Sequence, residues 1–571
     1  MEERFGSGKP WHRFYPEEVS PDIEIPDETV PDLLRQAAAK YPEHIALTFF
    51  GKKLTYRKLL ADANRMAAAL QGLGIQEGER VAIMLPNCPQ MVITYFGALM
   101  AGAIVVMTNP LYVERELEHQ LKDSGAAAII TLDALYPRLA KVRGNEPQQG
   151  PIPALRHILI TSIQDALPFP KNILYPLKQR RQTKTRPAPI PYRTGGVVSY
   201  KRLLAKAPAA PNRISLDPAA AIALLQYTGG TTGLAKGVML THRNLAANAR
   251  QTASWCYRLR DGQELFLAAL PIFHVFGLTV LMNLSVLRAG TLILLPKFEI
   301  EKVMETIDRL HPTVFPGAPT MYVAVNNYKE LHRYNLTSIE ACVSGAAPLP
   351  LEVQEQFEAL TGGKLIEGYG LTESSPVTHA NPLWGKRKIG TIGLPLPGTD
   401  AKIVDEATGE ELPPGEVGEL IIRGPQVMAG YWNRPEETAA ALQNGWLYTG
   451  DLGKMDEDGY FSIVDRKKDV IIAGGFNIYP REVEEVLYEH PAVKTAAVVG
   501  VKDQYRGETV KAYIVLKDGV TVSAAQLDLW CRERLAAYKV PHQYAFRDQL
   551  PMSLIGKVLR RKLLEEDEAG N

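Results

Sequence analysis

The sequence predicts an α/β protein: a large N-terminal domain built on largely parallel sheets, a small barrel-like β region, and a small α+β domain at the C-terminal end. Three observations carry this. Up to about residue 330, helical patterns alternate with short apolar runs such as Arg80-Val81-Ala82-Ile83-Met84-Leu85 and Ala127-Ala128-Ile129-Ile130-Thr131. Such alternation builds a parallel sheet covered by helices. From about Gly390 to Asp465 the texture changes to short strands with Gly/Pro turns, for example Gly418-Glu419-Leu420-Ile421-Ile422-Arg423. After Asp465 the pattern restarts: a strand at Val470-Ile471-Ile472, a helix opened by Pro480 and running to Glu489, a strand at Ala496-Ala497-Val498-Val499, and a helix from about Ala524 to Leu535. The domains are therefore expected at 1–465 and 466–571, the second close to an ordinary domain size.

At 571 residues and roughly 150 residues per domain, a single small binding module is excluded. Lys and Arg number 64 against 63 Asp and Glu, a net charge of +1. No global field recruits nucleic acid or a bilayer, so any such contact is local. Hydrophobic residues at 46% and charged ones at 22% exclude disordered and fibrous classes. Cys88, Cys256, Cys342 and Cys531 lack metal-site or disulfide spacing, which points to free thiols in a reducing cytosol.

Met1 to Pro16 carries Glu2, Glu3 and Arg4 without an apolar segment, so no secretory signal is expected. Two uncharged stretches, Met91 to Thr108 and about Phe276 to Leu295, approach the length of a membrane span. Each breaks in its middle, at Ala101-Gly102-Ala103 and at Arg288-Ala289-Gly290, and each resumes as a β-branched or leucine-rich run. A helix, a glycine cap and a buried strand are predicted in both places. Between Leu167 and Tyr192 lies a Pro-rich insertion with Lys171, Lys178, Arg180, Arg181, Lys184 and Arg186 and no acid; its apolar members Phe169, Ile173, Leu174, Tyr175 and Leu177 sit just before the basic cluster. It reads either as a solvated insertion or as a patch for anionic lipid.

The chemistry begins at Tyr227-Thr228-Gly229-Gly230-Thr231-Thr232-Gly233-Leu234-Ala235-Lys236-Gly237, a glycine-rich turn after the apolar run Ala221 to Leu225. Backbone N–H groups in such a turn close on phosphate oxygens, and Thr228, Thr231, Thr232 and Lys236 add donors and charge. The spacing is not that of the Walker A loop, which removes the main support for a simple GTPase or kinase. Glu373, beside Thr372 after a Gly-rich turn, suits Mg²⁺, which takes few carboxylates and completes its shell with water and phosphate oxygens; a helix N-terminal acid is the alternative. His274 lies among apolar and aromatic residues in Leu270 to Gly277, where a histidine is a hydrogen-bonded pocket residue or an acid/base.

That glycine-rich string, with Glu367-Gly368-Tyr369-Gly370-Leu371-Thr372-Glu373, Tyr448-Thr449-Gly450-Asp451 and Asp465-Arg466-Lys467-Lys468-Asp469, resembles the adenylate-forming superfamily of acyl-CoA synthetases, adenylation domains and luciferases. Asn444 to Asp451 and Asp465 to Pro480 look most like bacterial long-chain fatty acid CoA ligases. The resemblance covers essentially the whole chain. It implies stacked sheets with a mobile C-terminal domain, and conversion of ATP, a fatty acid and CoA to AMP, pyrophosphate and acyl-CoA through an acyl-adenylate.

Residue by residue, the resemblance assigns the phosphates to Thr228, Gly229, Gly230, Thr231, Thr232, Gly233 and Lys236, with Thr372 at the α-phosphate and Glu373 at Mg²⁺. Adenine falls to Tyr369, Gly370 and the turn Gly345-Ala346-Ala347, and ribose to Asp451. His274, Phe276, Gly317 and Ala318 would line the fatty-acid side. Lys557 would neutralise charge in the adenylation transition state, a role typically worth a factor of about 10²–10³. Gly474 and Gly475 would line the thiol tunnel on another face of the small domain. That domain must then rotate between steps, with Arg466 and Lys468 at the hinge.

Alternatives that remain are a medium-chain or aryl acid CoA ligase, a luciferase-like oxidative enzyme, and a non-catalytic nucleotide or lipid binder. Lys557, Glu373 and Asp451 together argue against the last. Expected partners are fatty acid, ATP and CoA, with no nucleic acid, a cytoplasmic location, and an option of peripheral contact with anionic membrane through 167–192. A homodimer is left open.

Overall fold

The computed structural model describes residues 9–144, 150–175, 189–192, 194–228, 235–473, 476–503, 507–553 and 557–570. Among them the largest sheet has eight strands, in the order Gly430–Tyr431, Lys236–Thr241, Ile222–Thr228, Ile104–Met107, Arg80–Met84, Ala128–Leu132, His157–Thr161 and Val197–Ser199. From Ile222–Thr228 onward neighbours run parallel. The two strands at the other edge run antiparallel. Val81, Ala82, Ile83 and Met84 are fully buried, the reason the central strand reads as an unbroken apolar run.

Both span-length stretches break where the sequence breaks. Helix Pro89–Met100 ends before Gly102, whose φ of +74° reverses the chain into strand Ile104–Met107. The second runs helically from Val275 to Leu287, with a π-helical middle at Leu278–Asn283. It turns at Ala289 and Gly290 into strand Thr291–Leu294. Among the described residues no helix is long and apolar enough to cross a membrane.

A second sheet joins Leu265–Ala268, Thr291–Leu294, Ile45–Phe49 and Lys52–Thr55; a third joins Ala341–Ser344, Lys364–Gly370, Val377–Ala380 and Leu394–Pro395. Val314 bridges Phe266 of one and Ala341 of the other, so their edges are continuous. The β-rich region expected from about 390 to 465 is a five-stranded antiparallel sheet, Asp400–Val404, Gly418–Arg423, Trp446–Met455, Leu442–Gln443 and Phe461–Arg466.

The last of those strands ends at Arg466, and the next begins at Ile471 in a separate sheet formed by Ile471–Ala473, Phe476–Ile478, Val493–Asp503, Gly507–Leu516 and Gln543–Phe546. The helices Pro480–Tyr488 and Ala524–Arg532 bury Val483, Leu487 and Leu527 against Val498, Val510 and Ile514 of that sheet. This small core takes no residue from before Ile471, and the large core takes none after Phe461. Separate cores make two domains, a large N-terminal and a smaller C-terminal one. Cys88, Cys256 and Cys342 sit in the large core and Cys531 in the small one, all free and buried. Burial pushes the Cys88 and Cys256 thiols up to about 12, and raises Cys342 and Cys531 as well.

Gly393 stitches the third sheet to the five-stranded one: its carbonyl accepts from Phe461 N at 2.9 Å, and its φ is +87°. A Cβ there would lie 2.1 Å from the Ala380 carbonyl carbon, whereas one at Gly415 (φ +92°) would meet nothing within 4 Å. Both substitutions carry backbone strain, but only Gly393→Ala adds a collision. Gly393→Ala should cost more than about 1 kcal/mol and lower the calorimetric unfolding temperature well below that of Gly415→Ala; equal effects would show that the collision relaxes.

Candidate active site

Strands Ile222–Thr228 and Lys236–Thr241 form a hairpin in which Thr228 pairs with Lys236. Gly229, Gly230, Thr231, Thr232 and Gly233, at its closed end, lie outside the described residues. The hairpin base is held by Asp123, whose carboxylate accepts from Tyr227 Oη at 2.7 Å and Arg434 at 2.9 Å, while its carbonyl accepts from Trp432 Nε1 at 3.2 Å. Lys236 pairs with Glu437, its ammonium 4.9 Å from the Tyr431 ring centroid.

Beside the hairpin, strand Lys364–Gly370 runs into the turn Thr372–Ser374. Glycine is required at 370, where a Cβ would fall 1.9 Å from the Pro376 carbonyl oxygen. The turn is pinned by Met428 N donating to Glu373 O at 2.8 Å and by Thr279 Oγ1 donating to Ser375 O at 2.5 Å. The Glu373 carboxylate accepts from Tyr431 Oη at 2.9 Å. Tyr369 donates to Asp451 at 2.6 Å, backed by the edge of His379, 5.9 Å away between ring centroids.

Gly317 and Gly345 meet backbone to backbone, Gly345 N donating to Gly317 O at 3.2 Å. A Cβ on Gly345 would lie 2.9 Å from the Phe276 ring, and one on Gly317 would lie 3.0 Å from the Tyr322 ring. These glycines therefore let two aromatic walls close on the turn Ser344 to Pro350, where Ala346 takes a φ of 72°. Ala318 caps helix Pro319–Asn326 beside them. The wall carrying Phe276 is scaffolded by buried Asn87, which donates to Ala268 O and Leu270 O and accepts from Ile272 N at 2.9 Å. His274 Nδ1 accepts from Phe276 N at 3.2 Å, which leaves Nε2–H as the free end of the ring. Burial, reinforced by the nearby Lys557 ammonium, pushes His274 down to about 4, so the ring is neutral at pH 7.

Asp451 is presented by a tight turn: Gly450 N donates to Glu419 at 3.0 Å, and Asp451 N to Thr449 Oγ1 at 3.1 Å. Arg466 lies 3.5 Å from its carboxylate. Lys557 sits in a small hairpin, with Ser553 N donating to Lys557 O at 2.7 Å and Lys557 N to Ser553 Oγ at 3.0 Å. Burial and repulsion from Arg466 push Lys557 down to about 7, against the pull of Asp451 and Asp469. Lys468 is lowered too, by burial and then Arg466, against Asp469, Asp451 and Glu373.

Thus Glu373, Tyr369, Asp451, Arg466, Lys468, His274 and Lys557, spread over nearly 300 positions of sequence, act on one another through contact or charge. Gly474 and Gly475 lie outside the described residues. Sequence reasoning missed Tyr431 on Glu373 and Glu437 on Lys236; Gly430-Tyr431 and Pro435-Glu436-Glu437 carry no chemical pattern of their own. Among the described residues no three His, Cys, Asp or Glu side chains gather as a metal cage. A lone Glu373, oriented by a hydroxyl among cations suited to phosphate, nonetheless fits Mg²⁺ held mainly by phosphate and water.

Residues 34–432 match the family model described as AMP-binding enzyme, and residues 482–557 the model of the AMP-binding enzyme C-terminal domain. The chain is 53% identical over 564 residues to a long-chain-fatty-acid–CoA ligase of Bacillus subtilis, with 98% of each chain covered. It is 41% identical over 568 residues to the Escherichia coli protein of the same name, again with 98% of each covered. ATP-bound MatB from Rhodopseudomonas palustris superposes with a TM-score of 0.81 at 31% identity, covering 94% of this chain and 99% of that one. An anthranilate CoA ligase in complex with anthranoyl-AMP does so with a TM-score of 0.83 at 28% identity, covering 96% and 98%.

The buried ring of His274 should stay neutral in ¹⁵N NMR spectra, assigned with a His274→Gln variant, until the pH falls toward about 4. Protonation near the ordinary 6.5 would mean that burial and the Lys557 ammonium do not control it.

Proposed function

The chain belongs to the AMP-binding enzyme family, and from that premise we propose that it is an AMP-forming long-chain fatty acid CoA ligase. The fatty carboxylate attacks the α-phosphorus of ATP, the bond to the bridging oxygen breaks, and pyrophosphate leaves. The CoA thiol, giving up its proton, then attacks the acyl carbon of the acyl-adenylate and expels AMP. Activation is needed because a carboxylate is a poor electrophile, whereas AMP is a good leaving group. Positioning and charge neutralisation supply most of the acceleration.

The observation that carries this reading is the approach of Lys557, from the small domain, to Asp451, Arg466 and His274 of the large one. In it, Lys557 neutralises charge on the reacting phosphate and carboxylate, and Thr372 donates to the α-phosphate. Lys236 leaves Glu437 for the outer phosphates, which the hairpin loop cradles. Tyr369 and the Gly345-Ala346-Ala347 turn hold adenine; Asp451 takes the ribose hydroxyls. His274, neutral with Nε2–H outward, orients the carboxylate beside Phe276, Gly317 and Ala318. Glu373 would hold Mg²⁺, which supplies charge neutralisation to the phosphates when bound. The small domain then turns about Lys468 to exchange Lys557 for Gly474 and Gly475, which line the thiol path.

Long-chain specificity is supported by the two CoA-ligase relatives at 53% and 41% identity. The test is mass spectrometry of products from ATP, Mg²⁺ and short, medium, long-chain and aryl acids, with and without CoA. Long-chain acyl-CoA with AMP is expected; a preference for medium-chain or aryl acids would revise the substrate, and an acyl-adenylate that never becomes a thioester would revise the acceptor. Lys557→Ala should lower acyl-adenylate formation by about 10²–10³-fold and still convert supplied acyl-adenylate and CoA. Equal loss of both steps would refute its role.

We further propose that the enzyme is cytoplasmic and touches anionic membrane through 167–192. Phe169, Ile173 and Leu174 are 78%, 61% and 55% exposed. In the same segment Lys171 bonds to Phe50 O, while Lys52 bonds to Asp165 O and Lys201 pairs with Asp165, just before the segment in sequence. Lys178, Arg180, Arg181, Lys184 and Arg186 follow in sequence and lie outside the described residues. Each basic side chain near such a surface contributes about 1 kcal/mol. Replacing Arg180, Arg181, Lys184 and Arg186 with glutamine should weaken co-sedimentation with phosphatidylserine vesicles in a salt-sensitive way; unchanged sedimentation would reduce the stretch to a solvated insertion.

A further inference from the structure

We propose that Arg481 is a positioning residue for adenylation, latching the C-terminal domain in the orientation that delivers Lys557. The inference rests on the two-orientation reading above and adds the residue that stabilises one orientation over the other. Arg481 is the second residue of helix Pro480–Tyr488 in the small domain, yet it bonds backward across the boundary. Its Nη1 donates to the Ile463 carbonyl at 2.9 Å and its backbone N to Asp465 Oδ2 at 2.8 Å, both on the last strand of the large domain. Its Nε donates to Glu485 at 3.0 Å, which holds the guanidinium fork in place.

Its charge also faces Glu367, on a strand in the body of the large domain. Glu367 accepts from Leu349 N at 3.2 Å and so braces the Ser344 to Pro350 turn assigned to adenine. Burial pushes Glu367 up to about 7; Arg481 works against that rise and Glu485 with it. The charge this carboxyl keeps near neutral pH is thus favoured by an arginine that belongs to the other domain. Rotation of the small domain would separate the two and leave the nucleotide turn braced by a group more prone to protonation. The contacts thus favour the Lys557-inward orientation and tie it to the adenine turn.

The experiment compares wild type, Arg481→Gln, Arg481→Lys and Glu367→Gln in the full chain, with the half-reactions measured apart: pyrophosphate release without CoA, and thioester formation from supplied acyl-adenylate and CoA. Losing a charge-assisted hydrogen bond at a two-state boundary should slow adenylation by about tenfold in Arg481→Gln, with the thioester step unchanged or faster. Arg481→Lys, which keeps the charge, should fall between. The Arg481→Gln/Glu367→Gln double variant should be slower than wild type by less than the product of the single effects. Equal slowing of both half-reactions by Arg481→Gln, no slowing of either, or additive single effects would overturn the latch. If Lys557→Ala separates the half-reactions and Arg481→Gln does not, the latch alone fails; if Lys557→Ala also slows both equally, the two-orientation reading fails with it.

Discussion

Three cations converge on one seam, and much of the structure is arranged around holding them there. Arg466 and Lys468 come from the strand end and turn that leave the large domain, and Lys557 from a hairpin of the small one. Burial and then mutual repulsion lower both lysines, and Asp451 and Asp469, with Glu373 at Lys468, offset this only in part. A cluster of like charge away from water is stable only when carboxylates or an incoming anion neutralise it. Because one of the three arrives on a separate domain, the charge of the pocket depends on domain orientation. That dependence suits a reaction whose first step handles a polyphosphate and whose second handles a monophosphate.

Polar side chains outside the proposed chemistry fix the geometry of those assigned to it. Asn87 satisfies three backbone groups of the His274 segment. Asp123 gathers Tyr227, Trp432 and Arg434 at the base of the glycine-loop hairpin. Glu419 receives both Gly450 N and Lys467 Nζ, joining the turn that presents Asp451 to the residue before the proposed pivot. Each is a buried or half-buried group whose hydrogen bonds are filled from distant sequence, by backbone at Asn87, by side chains at Asp123 and by one of each at Glu419, so the loops around the site are ordered by enthalpy that no local propensity supplies.

That division explains what the sequence reveals and what it withholds. The parallel strands, the breaks at Gly102 and at Ala289-Gly290, the β-rich region and the restart after Arg466 all follow from local pattern, because each depends on hydrophobic period and on turn residues, although the left-handed residue of the second break is Ala289 rather than the glycine. The residues proposed for the nucleotide are visible for a different reason: phosphate and ribose chemistry needs unusual residues in tight spacing. What stays hidden depends on pairing across the fold. Tyr431 meets Glu373 across 58 positions, and Glu437 meets Lys236 from a helix with no motif. Arg481 looks like one more charge in the first turn of an amphipathic helix; only the packing of two domains reveals what it faces.

The burial of all four thiols has a consequence for side reactions. An acyl-adenylate is an electrophile, and any thiolate within reach would accept the acyl group as readily as the intended one. Cys88, Cys256, Cys342 and Cys531 are each enclosed in a core, with acidities pushed away from the physiological range. Reactivity follows the thiolate, so the protein offers its activated intermediate no sulfur of its own. Burial thereby guards these cysteines against S-acylation and leaves the entering cosubstrate as the thiol acceptor.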